Sequence, residues 1–294
     1  METGKRLRVA IIGSGNIGTD LLYKVRRSKH LKCTLMVGRR TDSPGLERAN
    51  KMGIRTSPDG LEGLKANIDN IDLVFDATSA SEHILIADSL QNKNVALINL
   101  TPAPLGSFFI PLVTNNPEII HANSHLNMVT CGGQTSIPLL HILSSNLNLD
   151  SVEVVSTIAS NSAGLATRKN LDEYITNTER AISEETGVQE VKVMLVINPA
   201  IPEIVMHTSM YVSGPDLVDN KVQDLINQRI KEMNVNNPNV KLVVSPTFVN
   251  LNTIHFAVEV SGSGDYLPTY SGNLDIINVA AIQAAESISQ SVAP

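Results

Sequence analysis

Only two cysteines, Cys33 and Cys131, occur in 294 residues. That is too few for a disulfide framework and fits a reducing compartment, so a cytoplasmic location is expected. No apolar run approaches the length needed to span a bilayer. The apolar stretch after Lys5, Arg6 and Arg8 is short and runs into Gly13-Ser14-Gly15, which reads as a first strand and not as a signal peptide. Basic charge is scarce too: 23 Lys and Arg face 29 Asp and Glu, a formal net charge of −6. Broad electrostatic binding to nucleic acid or an anionic membrane is therefore disfavoured, although a local basic pocket is compatible with that balance. Neither H-E-x-x-H nor C-x-x-C is present, so no structural or catalytic metal is expected. Internal repeats and low-complexity segments are also missing.

What is present has a globular balance, with 42% hydrophobic and 18% charged residues. The length allows two domains with a sizeable core. Leu7 to Ile12 reads as a buried strand, followed by Ile17, Leu21, Leu22 and Val25 at helical spacing. Cys33 to Val37, Leu73 to Phe75 and Val95 to Leu100 read as further strands, with Ile84, Leu85 and Leu90 on a helix between the last two. Such alternation argues for a doubly wound parallel sheet of the Rossmann type.

Beyond Cys131 the pattern becomes β-rich, with strands expected over 151–160, 191–197, 204–212, 241–244 and 254–260. Helical patterns interrupt them over 170–182 and 216–233, which suggests an α+β domain with a partly antiparallel sheet. A last helix, 274–292, is expected to pack back on the first domain. The resulting division is a dinucleotide-binding domain of residues 1–130 plus 270–294, and a catalytic and dimerisation domain of residues 131–269.

Gly13-Ser14-Gly15-Asn16-Ile17-Gly18 lies between the first strand and its helix. The first glycine permits a tight turn, the second admits a pyrophosphate, and the third lets helix and strand approach. The alternative is a glycine-rich turn without a ligand. An acidic residue about 20 positions on, which would bind the ribose 2′-hydroxyl, is missing. Arg39-Arg40-Thr41-Asp42 stands there instead, so a 2′-phosphate and hence NADP is open beside NAD, as is a pair of solvated arginines. Asp76 ends a strand near this crevice, or caps the next helix.

Cys131 precedes Gly132-Gly133-Gln134-Thr135-Ser136, then Ile137-Pro138. Thr135 or Ser136 can cap a helix with Pro138 in its first turn, which would leave Cys131 just before the helix. Free N–H groups and the helix dipole there would favour thiolate and could hold an oxyanion. Cys33, inside a strand, is expected to be inert. No histidine, including the nearby His121, His125 and His141, has an obvious base role. A nucleophilic thiol and a nicotinamide site in one chain imply thiol-dependent oxidation of an aldehyde.

These blocks resemble the acylating, coenzyme A-dependent acetaldehyde dehydrogenases of aromatic catabolic pathways. Further shared blocks are Phe75-Asp76-Ala77-Thr78-Ser79, Leu100-Thr101-Pro102-Ala103, Asn198-Pro199-Ala200, Tyr266-Leu267-Pro268 and Gly272-Asn273-Leu274-Asp275. The resemblance implies Cys131 as the acyl-thioester nucleophile. It implies nicotinamide cofactor binding by Ser14, Gly15, Asn16 and Ile17, by Asn273, and by the run Ser162, Ala163, Gly164, Leu165, Ala166, Thr167, Arg168, Lys169 and Asn170. It also implies coenzyme A as co-substrate, a homodimer or hetero-oligomer, and an aldolase of the 4-hydroxy-2-oxovalerate type as partner. Three departures stand out: Leu165-Ala166 for the usual Pro-Gly, Thr208 for an aspartate near the active site, and Arg39-Arg40 for a pattern with an aspartate. They put rate, substrate and cofactor choice in question. Two other readings remain: a related thiol-dependent semialdehyde dehydrogenase or reductase, and a weakly catalytic nucleotide-binding partner of an aldolase.

Overall fold

The computed structural model describes residues 6–236 and 239–291. The chain divides into two units. The first runs to Phe109 and takes in Asn115–Met128 and the chain from Asn278 on; the second holds Ile110–Thr114 and Val129–Ile277.

In the first unit, apolar runs alternate with amphipathic ones, and each becomes a strand or a helix. In order they are β1 (Leu7–Ile12), α1 (Asn16–Arg27), β2 (Leu31–Val37), α2 (Pro44–Lys51), β3 (Arg55–Ser57), α3 (Gly60–Lys65), β4 (Leu73–Asp76), α4 (Ala80–Leu90), β5 (Ala96–Asn99), β6 (Ser107–Phe108) and β7 (His125–Asn127). All pair in parallel in the order β3-β2-β1-β4-β5-β7-β6. The central strands are apolar on both faces, as a sheet covered on both sides requires. On one face Ala10, Ile12, Leu35, Val37, Val74 and Leu97 pack with Leu64, Ile86 and Leu90. Strand order reverses between β1 and β4, and ligands bind at such a switch point, beyond the carboxyl ends of the strands.

One expected stripe is displaced. Ile84 and Leu85 are exposed, whereas Ala80, His83, Ile86 and Leu90 form the buried face of α4. The polar His83 belongs to the core side and breaks the apolar pattern there.

The second unit holds α5 (Cys131–Ser144), β8 (Ser151–Ala159), α6 (Leu165–Lys169), α7 (Leu171–Thr186), β9 (Glu190–Asn198), β10 (Met206–Ser213), α8 (Asp219–Asn236), β11 (Val240–Asn250) and β12 (Thr253–Val260). Its sheet has the order β11-β12-β10-β8-β9, antiparallel except for the parallel β8–β9 pair. In β10 the buried Met206, Thr208, Met210 and Val212 alternate with His207, Ser209, Tyr211 and Ser213, the period-2 pattern of a sheet covered on one face. Strand β11 is longer than expected: Pro246 interrupts its sequence pattern, but β11 is an edge strand, where proline is tolerated.

The last helix, α9 (Gly272–Ser291), begins in the second unit and continues in the first. Within the first unit it is tied to α1, where Asn278 Nδ2 donates to Asp20 Oδ2 (2.8 Å). Ser28 Oγ donates to Glu286 Oε1 (2.6 Å) just beyond α1. The sequence-based end at Val292 lies outside the described residues.

Candidate active site

At the end of β1, Gly13 has a φ of 110°, and a Cβ there would overlap the Ala77 carbonyl after β4. A Cβ at Gly18 would overlap the Gly13 carbonyl, so the turn folds onto its own helix only with glycine at both places. Around Gly15, by contrast, nothing lies within 4 Å of the Cβ position. Gly15 is the N-cap of α1 and Asn16 its first residue, with no acid in the first turn to repel an anion. Ser14 accepts a hydrogen bond from Ser43 (2.7 Å), which fixes this turn to the start of α2. One helical turn further in, Asp20 is buried and paired with Lys24 (2.7 Å).

Beyond β2, Arg39 and Arg40 both stand exposed. Arg40 donates to Asp42 through Nε (2.9 Å) and Nη2 (2.6 Å), while Arg39 lies 3.5 Å from Glu82. Surface pairs of this kind contribute little and can be exchanged for another anion.

Asp76 does not cap α4; Ser79 does, accepting from the Glu82 N–H. The fully buried Asp76 accepts from the Thr78 backbone through Oδ1 (2.9 Å) and meets His83 Nδ1 through Oδ2 (2.7 Å). The Nε2 atoms of His83 and His125 in turn share a hydrogen at 2.9 Å. Burial and the neighbouring His83 push the His125 imidazole down to about 4. Histidine reading from sequence missed this chain, because its members are 7 and 42 residues apart and only the sheet joins them.

In the second unit, α5 starts at Cys131 itself, four residues before Thr135, so the expected helix start is corrected. Thr130 is the cap, accepting from the Gly133 N–H (3.0 Å). Thr135 and Ser136 are interior, donating back to the carbonyls of Cys131 (2.9 Å) and Gly132 (2.8 Å). Pro138, expected in the first turn, therefore sits in the middle of the helix, where it supplies no N–H to the carbonyl four residues back. Val129, just before the cap, has a φ of 58°, a costly conformation for a β-branched residue, and Asn177 Nδ2 donates to its carbonyl (3.4 Å).

The N–H groups expected to be free are engaged. Gly132 N–H donates to the Tyr174 hydroxyl (3.0 Å), and Gly133 N–H goes to the cap. The Cys131 sulfur lies 3.6 Å from the Tyr174 oxygen. Burial pushes the Cys131 thiol up, against the pull of Tyr174 and the Gly132 N–H. The expected bias toward thiolate is thus outweighed by desolvation. Cys33 is pushed up to about 12 by burial within β2, in keeping with an inert thiol. Thr208 is buried on β10, with its hydroxyl 3.2 Å from that of Ser156. Ser156 borders Gly132, where an added Cβ would come within 2.8 Å of its Oγ and would collide with Tyr174. Tyr174 and Ser156 are the neighbours of the cysteine motif that the sequence did not indicate.

The 162–170 segment is not one loop. Ser162 donates to the Ala159 carbonyl (2.8 Å) in a tight turn, and Leu165–Lys169 is the short α6 after Ala163 and Gly164. Arg168 reaches back to the carbonyls of Ala163 (3.1 Å) and Ser160 (2.9 Å), bracing the turn. Thr167 is partly buried and Lys169 exposed, and Asn170 leads into α7. Asn273 is the second residue of α9 and so does not cap it. It is buried, and its Oδ1 has no hydrogen-bond partner. A buried acceptor without a donor is costly unless a ligand supplies one. Within the first unit the open space at Gly15 suits a dinucleotide phosphate, and within the second the orphaned oxygen of Asn273 suits a ligand's donor.

Residues 131–268 match the family model described as prokaryotic acetaldehyde dehydrogenase, dimerisation. An acetaldehyde dehydrogenase of Pectobacterium atrosepticum is 45% identical over 97% of this chain and 96% of its own length. One from Spirochaeta aurantia is 46% identical over 96% and 94%, and one from Burkholderia thailandensis 43% over 95% and 94%. Among solved structures, aspartate semialdehyde dehydrogenase II from Vibrio cholerae, complexed with ASA, shares the fold with a TM-score of 0.67 and 14% identity over 98% of both chains. With its glycine turn at the switch point and its cysteine opening a helix of the matched region, the chain belongs to the acetaldehyde dehydrogenase family.

Proposed function

We propose that this chain oxidises acetaldehyde, or another short aldehyde, to the acyl-coenzyme A thioester with Cys131 as nucleophile. The observation that carries the reading is the position of Cys131: first residue of a capped helix, with its sulfur beside the Tyr174 hydroxyl. The Cys131 sulfur adds to the aldehyde carbonyl carbon, forming the C–S bond while the π pair moves to oxygen. When bound, the nicotinamide supplies the acceptor for the hydride. The carbonyl then re-forms as a thioester on Cys131. Attack by the coenzyme A thiolate expels Cys131 as thiolate, and the acyl group leaves as acyl-coenzyme A.

Ser14, Gly15, Asn16 and Ile17 hold the dinucleotide phosphates at the start of α1. The family resemblance adds Ser162–Asn170 and Asn273 as cofactor-binding residues, and Asn273 has a buried oxygen without a partner. Dinucleotide binding is assigned to residues 1–130 and 270–294, and acyl chemistry with dimerisation to 131–269. A cytoplasmic enzyme of aromatic breakdown, supplied with aldehyde by an aldolase, is the setting that best suits this chemistry.

Aldehyde-dependent reduction of NAD and NADP, measured with and without coenzyme A, tests the proposal. Turnover is expected only with coenzyme A present. Equal steady turnover without it would argue for simple hydrolysis and against acyl transfer.

A further inference from the structure

Tyr174 lies on α7, 43 residues from Cys131, and is buried against the first turn of α5. Hydrogen accounting narrows the partners of its hydroxyl. Thr178 donates its hydroxyl to the Tyr174 carbonyl (2.6 Å). The 2.7 Å contact between Thr178 and Thr130 is therefore donated by Thr130, whose single hydrogen is thereby used. Thr130 has none left for Tyr174. The Tyr174 oxygen already accepts the Gly132 N–H at 3.0 Å. Two acceptors are within reach of its own hydrogen, Thr130 Oγ1 and the Cys131 sulfur at 3.6 Å, a normal separation for a hydrogen bond to sulfur.

From this geometry we infer that the Tyr174 hydroxyl is a catalytic group: it donates a hydrogen bond to Cys131 Sγ and stabilises the thiolate that attacks the substrate. The inference rests on the reading of Cys131 as nucleophile and adds the means by which a half-buried cysteine becomes reactive. No proton is transferred from the phenol, which burial and the adjoining sulfur keep firmly protonated. The thiol proton goes to solvent or substrate, and the phenol only shares its hydrogen. Tyr174 also orders the motif through the Gly132 N–H, so the helix start and the sulfur are held by one oxygen.

The test is the pH dependence of Cys131 alkylation by iodoacetamide, followed peptide by peptide with Cys33 as internal reference. Tyr174→Phe is expected to move the Cys131 midpoint up by about one pH unit, the order of one charge-assisted hydrogen bond, and to lower kcat more than it raises KM. Placing 3,5-difluorotyrosine at position 174 gives a more acidic donor of nearly the same shape, and it is expected to move the midpoint down; it keeps the test decisive if the phenylalanine variant folds poorly. A midpoint unchanged in a folded variant of either kind overturns the inference. That result is distinct from failure of the nucleophile reading, which would appear as acyl transfer surviving Cys131→Ala.

Discussion

At the scale of single residues, function hangs on a few atoms with unusual surroundings. Arg39 and Arg40 replace the acid that reads a ribose 2′-hydroxyl, and their present partners are the half-buried Glu82 and the exposed Asp42. A 2′-phosphate offers more charge than either carboxylate, and a charge-assisted bond to it is worth about 1.5–3 kcal/mol. The double variant Arg39→Ala/Arg40→Ala is expected to lower the ratio of NADP to NAD affinity by roughly tenfold or more. Calorimetric titration of both cofactors measures it, and an unchanged ratio would clear the arginines of any role. The arginines and the absence of an acid were legible in the sequence, because the position after a second strand has a fixed meaning. Tyr174 was not: its role depends on an oxygen brought to Cys131 from another helix, and no spacing rule covers a separation of 43 residues.

At the scale of elements, local chemistry explains both what the sequence revealed and what it hid. Strand β1 and its glycine turn were legible because a run of apolar residues ending in three spaced glycines has few other uses. The start of α5 was misplaced because Thr135, Ser136 and Pro138 imitate a cap, whereas Thr130 supplies the hydrogen bond. Buried threonine and serine inside the helix satisfy themselves on the carbonyls of the preceding turn. Gly132 shows how closely that turn is packed. Alanine would favour the helix by about 1 kcal/mol through propensity, but its methyl would collide with Tyr174 and crowd Ser156. Overpacking typically costs about 1–3 kcal/mol, so the clash dominates. Gly132→Ala is expected to lower the melting temperature and to depress acyl transfer. A variant as stable and active as the parent would show that the turn has slack.

At the scale of the whole molecule, stability carries a pH signature from the chain that links buried Asp76 and His83 to the half-buried His125. In the folded state the His125 imidazole is held down to about 4, against an ordinary value near 6.5. Between those values the unfolded chain binds more protons, so stability is full above about 6.5 and falls as the pH drops toward 4. His125→Asn is expected to flatten this part of a plot of melting temperature against pH. An equal slope in the variant would assign acid sensitivity to other groups. The two-unit organisation was legible from the change from strand-helix alternation to a β-rich pattern. The histidine chain was not, because Ile84 and Leu85 advertise the wrong face of α4 and the true face includes a polar residue.

The central claim is that Cys131 carries the acyl group. Mass spectrometry of the intact chain and its peptides, after brief incubation with acetyl-coenzyme A, measures this directly. The expected result is a single acetyl adduct on the peptide containing Cys131, none on Cys33, and loss of both adduct and acyl transfer in Cys131→Ala. Acyl transfer at the parent rate in Cys131→Ala, or acetylation confined to Cys33, would contradict the account.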